Sequence, residues 1–484
     1  MPKTAPHATK TGALPPDDVD QERRSFLRHL QWIAMTSGVL GGCGGSGSST
    51  TPPPANSPNI LAIVIDDLND WVGFLGTNPQ VKTPNMDALA ARSTVFRRNY
   101  CNVPLCNPSR SSFWSGLSPQ HTQVFDNSTS LRSTTPTAVN LPDYLASNGY
   151  ASALYGKIYH TYHMVDEPYP EHVPDRNLVC SGYPNMVTEG LFDWGGMDVD
   201  DSLMPDFTYT RQGIDFLAGA STERPFFLGV GLVRTHVAWY VPQKWLDMFP
   251  LDSIQVPHVP ADDLADVPAE GRALALKYNF QDCIQRQGKW AEAVQAYLAS
   301  IAFVDAQVGR LLEALDASPH KDNTIVVLLS DNGFHLGQKF HWHKEALWEE
   351  TTRVPLLIRD RGQSTGATVD AAVSLLDLCP TLLDLCGLPG PYAMDGTSLR
   401  PLLRDPSTPW DKPVLMTFGV TDAQDKFTGL FDYAVRSNQY RYIQYHAGGR
   451  ELYAEGSDPN EFTNVAGDAS HAGVIAQLAA YVPT

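Results

Sequence analysis

Two apolar runs organise the pattern along the chain. Ile60 to Ile65 in PNILAIVIDDLNDW contains no polar residue and stops at Asp66 and Asp67. Thr324 to Leu329 in NTIVVLLSDNGFHLG repeats the plan and stops just before Asp331 and Asn332. Continuous rather than alternating apolar residues predict strands buried on both faces. PFFLGVGLV (Pro225 to Val233) and TTRVPLLIR (Thr351 to Arg359) predict two more strands, whereas MDALAARS and AYLASIAFVDAQVGRLLEAL carry helical periodicity. Strands that alternate with helices predict an α/β fold, with a mostly parallel sheet sandwiched by helices. In such sheets ligands gather at the carboxyl ends of the strands, where both acidic pairs stand.

From about Pro401 the pattern changes. PVLMTFGV, FDYAVRS and YRYIQYHA are short, aromatic and partly alternating, and a helical stretch follows around His471 to Ala480. These predict a smaller C-terminal α+β subdomain with an antiparallel sheet over residues 401–484, behind a main domain over 59–400.

The residues before 59 read as an address and a tether. In ERRSFLRHLQWIAMTSGVLGGC, Arg23 and Arg24 precede Phe26 and Leu27, which resembles a twin-arginine export signal. The apolar stretch behind them is diluted by His29 and Gln31, which suits a signal better than a spanning helix. LGGC, ending at Cys43, resembles a bacterial lipobox, so lipidation of Cys43 is expected at the end of a 1–43 signal segment. Residues 44–58 are a Gly/Ser- and then Pro-rich linker. The expectation is an exported protein of a bacterial cell envelope or periplasm, touching membrane only through a lipid anchor.

Composition narrows the function. Hydrophobic residues make up 43% and charged residues 18% of the 484, an ordinary globular balance, and no apolar run approaches the roughly 20 residues that span a bilayer. The formal net charge of −18 argues against nucleic acid as a partner. Seven cysteines at irregular spacing point to neither a zinc module nor a disulfide scaffold.

Asp66, Asp67, Asp331 and Asn332 offer hard oxygen donors suited to Ca²⁺ or Mg²⁺, although aspartate after a strand also forms turns and caps. In LCNPSRSSFWSG, Pro108 suits the first position of a helix and Asn107 its cap, which predicts Cys106 just ahead of a helix N-terminus. Such an end attracts anions, and Arg110 adds a bidentate donor. A thiol there is a nucleophile, a contact for an anionic group, or an inert core cysteine. Cys101, followed by asparagine, valine and proline, reads as a core residue.

CNPSR (Cys106 to Arg110) matches the C-x-P-S-R signature of the sulfatases, enzymes of the alkaline-phosphatase-like superfamily. The resemblance continues through DDLNDW, TPNMDALAARSTVF, NGYASALYGKIYH, SDNGFHLGQKFHWHKEALWEETTRVPLL, VSLLDLCPTLLDLCGLP, DGTSLRPLL and ELYAEGSDPNEFTNVA, and is nearest to the iduronate-2-sulfatase-like branch. The resemblance implies that Cys106 is oxidised to formylglycine by a maturation enzyme, and that the hydrated aldehyde attacks the sulfur of a sulfated saccharide. It implies a metal, usually Ca²⁺ with Mg²⁺ as the alternative, held by Asp66, Asp67, Asp331 and Asn332 together with residue 106. It also gives Arg110 the task of holding the nucleophile, Lys157 and Lys344 that of clamping sulfate, and His160 and His236 proton transfer, His236 contacting sulfate as well.

The chain departs from the family pattern in places. Arg234, Thr235 and Ala238 stand where the K-P-H-x-P stretch around His236 has lysine and prolines, and Trp114, Ser115, Gly116 and Leu117 replace L-T-G-R. His335, His341 and His343 either line the pocket or pack a loop. The stretches HTYHMVDEPYPEHVPDR and Trp239 to Arg286 are expected to set specificity. Two other readings stay open: a phosphonate or phosphate ester hydrolase of the same superfamily, and a catalytically silent surface glycan-binding protein.

Overall fold

The strand Asn59–Ile65 (β1) is buried at every position, as an unbroken apolar run requires, and forms the middle of a sheet with Phe226–Leu232 (β5) and Thr324–Ser330 (β7) on either side. The computed structural model describes residues 53–54, 56–160, 192–278, 280–422 and 426–483. The expected signal, lipidation site and most of the linker lie outside them, as does most of the first of the two stretches expected to set specificity.

Thr94–Tyr100 (β2), Ala151–Gly156 (β3), Leu356–Arg359 (β8) and Ala367–Ser374 (β9) complete seven strands in the order β3-β5-β1-β7-β8-β2-β9. Every pair is parallel except those of β8, which runs antiparallel to both β7 and β2. The expectation of strand from Thr351 to Arg359 is corrected: Glu349–Thr352 is a helical turn, and only Leu356–Arg359 is strand. Trp194–Met197 (β4) and Trp239–Pro242 (β6) pair separately.

Alternate residues of the central strands feed two cores. Leu61, Ile63, Val326 and Leu328 pack with the long helix Trp290–Ala317, through Leu298, Ile301 and Val304. Ile60, Ala62, Ile325 and Val327 pack on the opposite face with Phe113 and Trp114 of the helix Cys106–Ser115 and with the helix Leu378–Cys386. Burial on both faces, at about 25 cal/mol per Å² of apolar surface, explains why these strands tolerate no polar residue until their ends.

The C-terminal sheet consists of Val414–Thr421 (β10), Phe427–Arg436 (β11), Tyr440–Gln444 (β12) and Arg450–Ala454 (β13), all antiparallel. Met416, Ala434 and Ile443 pack against Tyr100 and Trp348 of the larger part, and Val435, Tyr442 and Leu452 pack under the helix Ala472–Ala479. A buried ionic seam reinforces the junction: Arg441 reaches Glu349 at 3.2 Å and Glu461 at 2.5 Å, and Arg436 reaches Glu349 at 3.0 Å.

The long helix also caps a neighbour. Asp305 accepts from the Asn85 and Met86 amides at 3.1 and 2.8 Å, satisfying the free N-terminal N–H groups of the helix Pro84–Ala90. Asp305→Ala is expected to lower unfolding free energy by about 1–3 kcal/mol in urea titration. It should leave kcat unchanged, because the residue lies away from the strand ends that carry the polar cluster.

Candidate active site

The parallel register sets Ile65 beside Ser330, so the residues that follow, Asp66 and Asp331, emerge together at the carboxyl edge of the sheet. Asp67 adopts a left-handed backbone (φ 56°), a conformation that aspartate tolerates better than most residues. Its amide donates to Asp331 Oδ1 at 3.1 Å, and Asn332 Nδ2 donates to Asp67 Oδ1 at 2.8 Å. The carbonyl of Asp67 accepts from Tyr297 OH (2.9 Å) and that of Asp66 from Thr235 Oγ1 (2.9 Å). Neither of these positioning contacts has a signal in the sequence, because both partners come from distant elements.

Carboxylate oxygens of Asp66, Asp67 and Asp331 lie within 4.8 Å of one another, all fully buried. Burial first and then the charges of Asp66 and Asp67 push the Asp331 carboxyl up to about 6, although Arg110 opposes them. Asn332 Oδ1 is buried and has no hydrogen-bond partner among the described residues. An orphaned amide oxygen beside three crowded carboxylates is a donor set that suits a hard divalent cation.

Cys106 is the first residue of its helix, two positions further in than the proline placement predicts, with Leu105 at the cap. Asn107 does not cap: its side chain donates to the Asp126 and Thr129 carbonyls at 2.9 and 2.7 Å, and its amide donates to Asn127 Oδ1 at 3.1 Å. An external asparagine thus does the work expected of Asn107. Cys106 Sγ lies 3.6 Å from Asp66 Oδ1 and 3.8 Å from Asp67 Oδ1. Burial pushes its thiol up, with Lys157 and Lys344 opposing and Asp66 and Asp331 reinforcing the effect. Cys101 is free and buried as expected, its Sγ facing the Thr351 carbonyl at 3.7 Å.

Three cations close on this group. Lys344 Nζ donates to Asp67 Oδ1 at 2.7 Å and to Cys106 Sγ at 2.8 Å. Lys157 Nζ meets Asp66 Oδ2 at 2.5 Å and Cys106 Sγ at 3.7 Å. Its backbone is turned into the site by Gly156 (φ 68°), where a Cβ would fall 2.0 Å from the Gly231 carbonyl oxygen. Arg110, 1% exposed, donates to Asp331 Oδ2 at 2.8 Å, to Asp66 Oδ1 at 3.1 Å and to the Lys157 carbonyl. Ser109 Oγ donates to the Asp331 carbonyl at 2.6 Å, a use of the signature serine that the motif alone does not disclose.

His236 reaches the site in spite of the residues around it. Its Nδ1–H donates to the Val237 carbonyl at 2.5 Å, leaving Nε2 3.8 Å from Asp67 Oδ2. Burial first, then Lys344, brings its pKa down to about 4. Arg234 Nε donates to the Tyr240 carbonyl at 3.0 Å. His160 is brought down to about 3, chiefly by burial and then by Lys157, and its buried Nδ1 has no hydrogen-bond partner among the described residues. His335 and His341 pack a loop: His335 meets Thr351 Oγ1 at 2.5 Å, and His341 meets the Ala275 and Lys344 carbonyls at 3.0 and 2.8 Å. His343 lies against the Tyr278 ring, 4.7 Å between centroids.

The family model described as Sulfatase matches residues 58–388, and that described as N-sulphoglucosamine sulphohydrolase, C-terminal, matches 337–483. The chain is 36% identical over 461 residues to a sulfatase of Formosa agariphila, covering 88% of this chain and 87% of that protein. It is 28% identical to the iduronate 2-sulfatase of Homo sapiens, covering 93% and 98%. The phosphonate monoester hydrolase of Agrobacterium radiobacter shares the fold, with a TM-score of 0.72 at 23% identity over 87% of this chain and 94% of that one. A family match through the central sheet and its strand-end cluster, joined to 36% identity across most of the chain, establishes that this protein belongs to the sulfatase family.

Proposed function

We propose that this sulfatase releases sulfate from a sulfated saccharide, with position 106, oxidised from cysteine to formylglycine by a separate maturation enzyme, as the nucleophile. The observation that carries the reading is the convergence on Cys106 Sγ of Lys344 at 2.8 Å, Lys157 at 3.7 Å and the Asp66 carboxylate at 3.6 Å. A relative named iduronate 2-sulfatase, whose name specifies a sugar, supports the saccharide.

Asp66, Asp67, Asp331 and Asn332 would hold a divalent cation, Ca²⁺ in preference to Mg²⁺, since an all-oxygen set with several carboxylates suits the larger ion. When bound, the cation polarises sulfate oxygen and favours the ionised nucleophile. Lys157 and Lys344, both buried, place two ammonium groups against charge that develops on the sulfate. Arg110 fixes Asp66 and Asp331 and thereby the position of residue 106. His236 Nε2 serves the leaving saccharide oxygen as a proton relay, and His160 the hydroxyl of the modified residue.

The shared fold of a phosphonate monoester hydrolase favours one competing reading, cleavage of a phosphorus ester. Parallel assays separate the two: protein produced with a maturation enzyme should hydrolyse an aryl sulfate in preference to a phosphate or phosphonate monoester. The tryptic peptide Asn99 to Arg110 should carry an aldehyde at Cys106 and a thiol at Cys101. Preference for a phosphorus ester, or binding of saccharide without turnover, would overturn the proposal.

Export is proposed on the ordered sequence features before residue 59. It is supported by Cys283, which is disulfide-bonded although the cysteine spacing does not predict a bridge.

A further inference from the structure

A cavity of about 700 Å³ has Glu345 in its wall. Glu345 follows the sulfate-clamp candidate Lys344 directly. Its amide donates at 3.0 Å to the carbonyl of Pro104, two residues before Cys106. Its backbone is left-handed (φ 64°), a conformation costly for glutamate and one that concentrates at functional positions. The volume falls in the range of small-molecule sites.

Charge defines what the cavity accepts. Its wall carries four carboxylates, Glu270, Glu345, Asp422 and Asp432, against one lysine and one histidine. Lys277 Nζ is engaged by Glu345 Oε2 at 3.0 Å and by Thr421 Oγ1 at 3.0 Å, and His446 Nδ1 lies 2.8 Å from Asp432 Oδ1. Tyr278 OH also donates to Glu345 Oε2 at 3.1 Å. Carboxylates accept but do not donate, so they match hydroxyl groups and repel a second anion. Leu274, Phe418 and Val420 supply apolar surface of the kind that suits the C–H face of a sugar ring.

We infer that this cavity is a subsite for an uncharged, hydroxyl-rich sugar ring next to the sulfated unit, and that it selects against a neighbouring uronate or second sulfate. The inference rests on the sulfated-saccharide reading above and narrows it. An anionic neighbour would find Glu270 and Asp422 beside the Lys277–Glu345 and His446–Asp432 pairs, and the wall offers no further lysine or arginine among the described residues.

The test uses the full, matured protein and two disaccharides sharing the same sulfated unit, one with a glucuronate neighbour and the other with its carboxyl-reduced, glucose counterpart. An aryl sulfate, too small to need the cavity, reads the chemistry separately. Reduction of the carboxylate is expected to raise kcat/KM by at least about tenfold. Glu270→Gln, at a half-buried position, and Asp432→Asn should each narrow that ratio, mainly through KM for the glucuronate substrate. Equal or better turnover of the glucuronate substrate overturns the inference, as does cleavage of aryl sulfate with neither disaccharide processed. Absence of aryl sulfate cleavage, with a phosphonate ester hydrolysed instead, would overturn the proposed function itself.

Discussion

Cys106→Ala is expected to remove sulfate release, lowering kcat/KM by at least about 10⁴-fold, because it deletes the proposed nucleophile. Aspartates, lysines and arginine pair with one another around Sγ, and each has a partner that holds it. Truncation removes one small buried group, so the fold should survive with a loss of about 1–2 kcal/mol. Sulfate release measured by ion chromatography, beside a urea titration of the same sample, checks both halves. Turnover within tenfold of the parent, in a folded variant, would remove residue 106 from the mechanism.

The second large effect is expected at Arg110. Arg110→Met leaves Asp66 and Asp331 buried without the guanidinium that bridges them, which should cost about 3–5 kcal/mol of stability. Arg110→Lys restores the charge but not the fork that reaches both carboxylates and two backbone carbonyls. Stability should therefore recover in part, while kcat stays about 10²–10³-fold down. Denaturation in the presence of a chelator, set against kcat with Ca²⁺ restored, separates the structural from the catalytic loss. A lysine variant with full kcat would show that Arg110 supplies charge alone.

Both predictions rest on residues that local sequence already singles out. A strand buried on two faces must be apolar throughout, so its end is marked by the first polar residues, and Asp66 and Asp331 are marked in this way. The proline, serine and arginine behind Cys106 likewise distinguish it from Cys101. Other elements carry weaker signals. β8 is short and antiparallel, and nothing in VPLLIR encodes direction, which depends on the chain returning through Glu349–Thr352. β13 has only five residues, too few for its alternation to stand out from the turns around it. The cap at Cys106 differs from the expected one because Asn127, twenty residues on, takes the amide of Asn107 itself.

By itself the sequence determined the strand cores and the acidic strand ends, and it singled out Cys106 and the cations that the family pattern names, because each depends on local burial or on a short motif. The tertiary structure alone decided how they meet. The β1–β7 register brings Asp66 and Asp67 into one cluster with Asp331 and Asn332, more than 260 residues on. Packing directs Arg234 to the Tyr240 carbonyl and His236 toward that cluster. The acidic cavity draws its wall from Glu270, Glu345, Asp422 and Asp432, residues on separate segments. Contacts of that kind are chosen by the packing of whole elements, whose energy is shared among many residues, and no local stretch of sequence contains it.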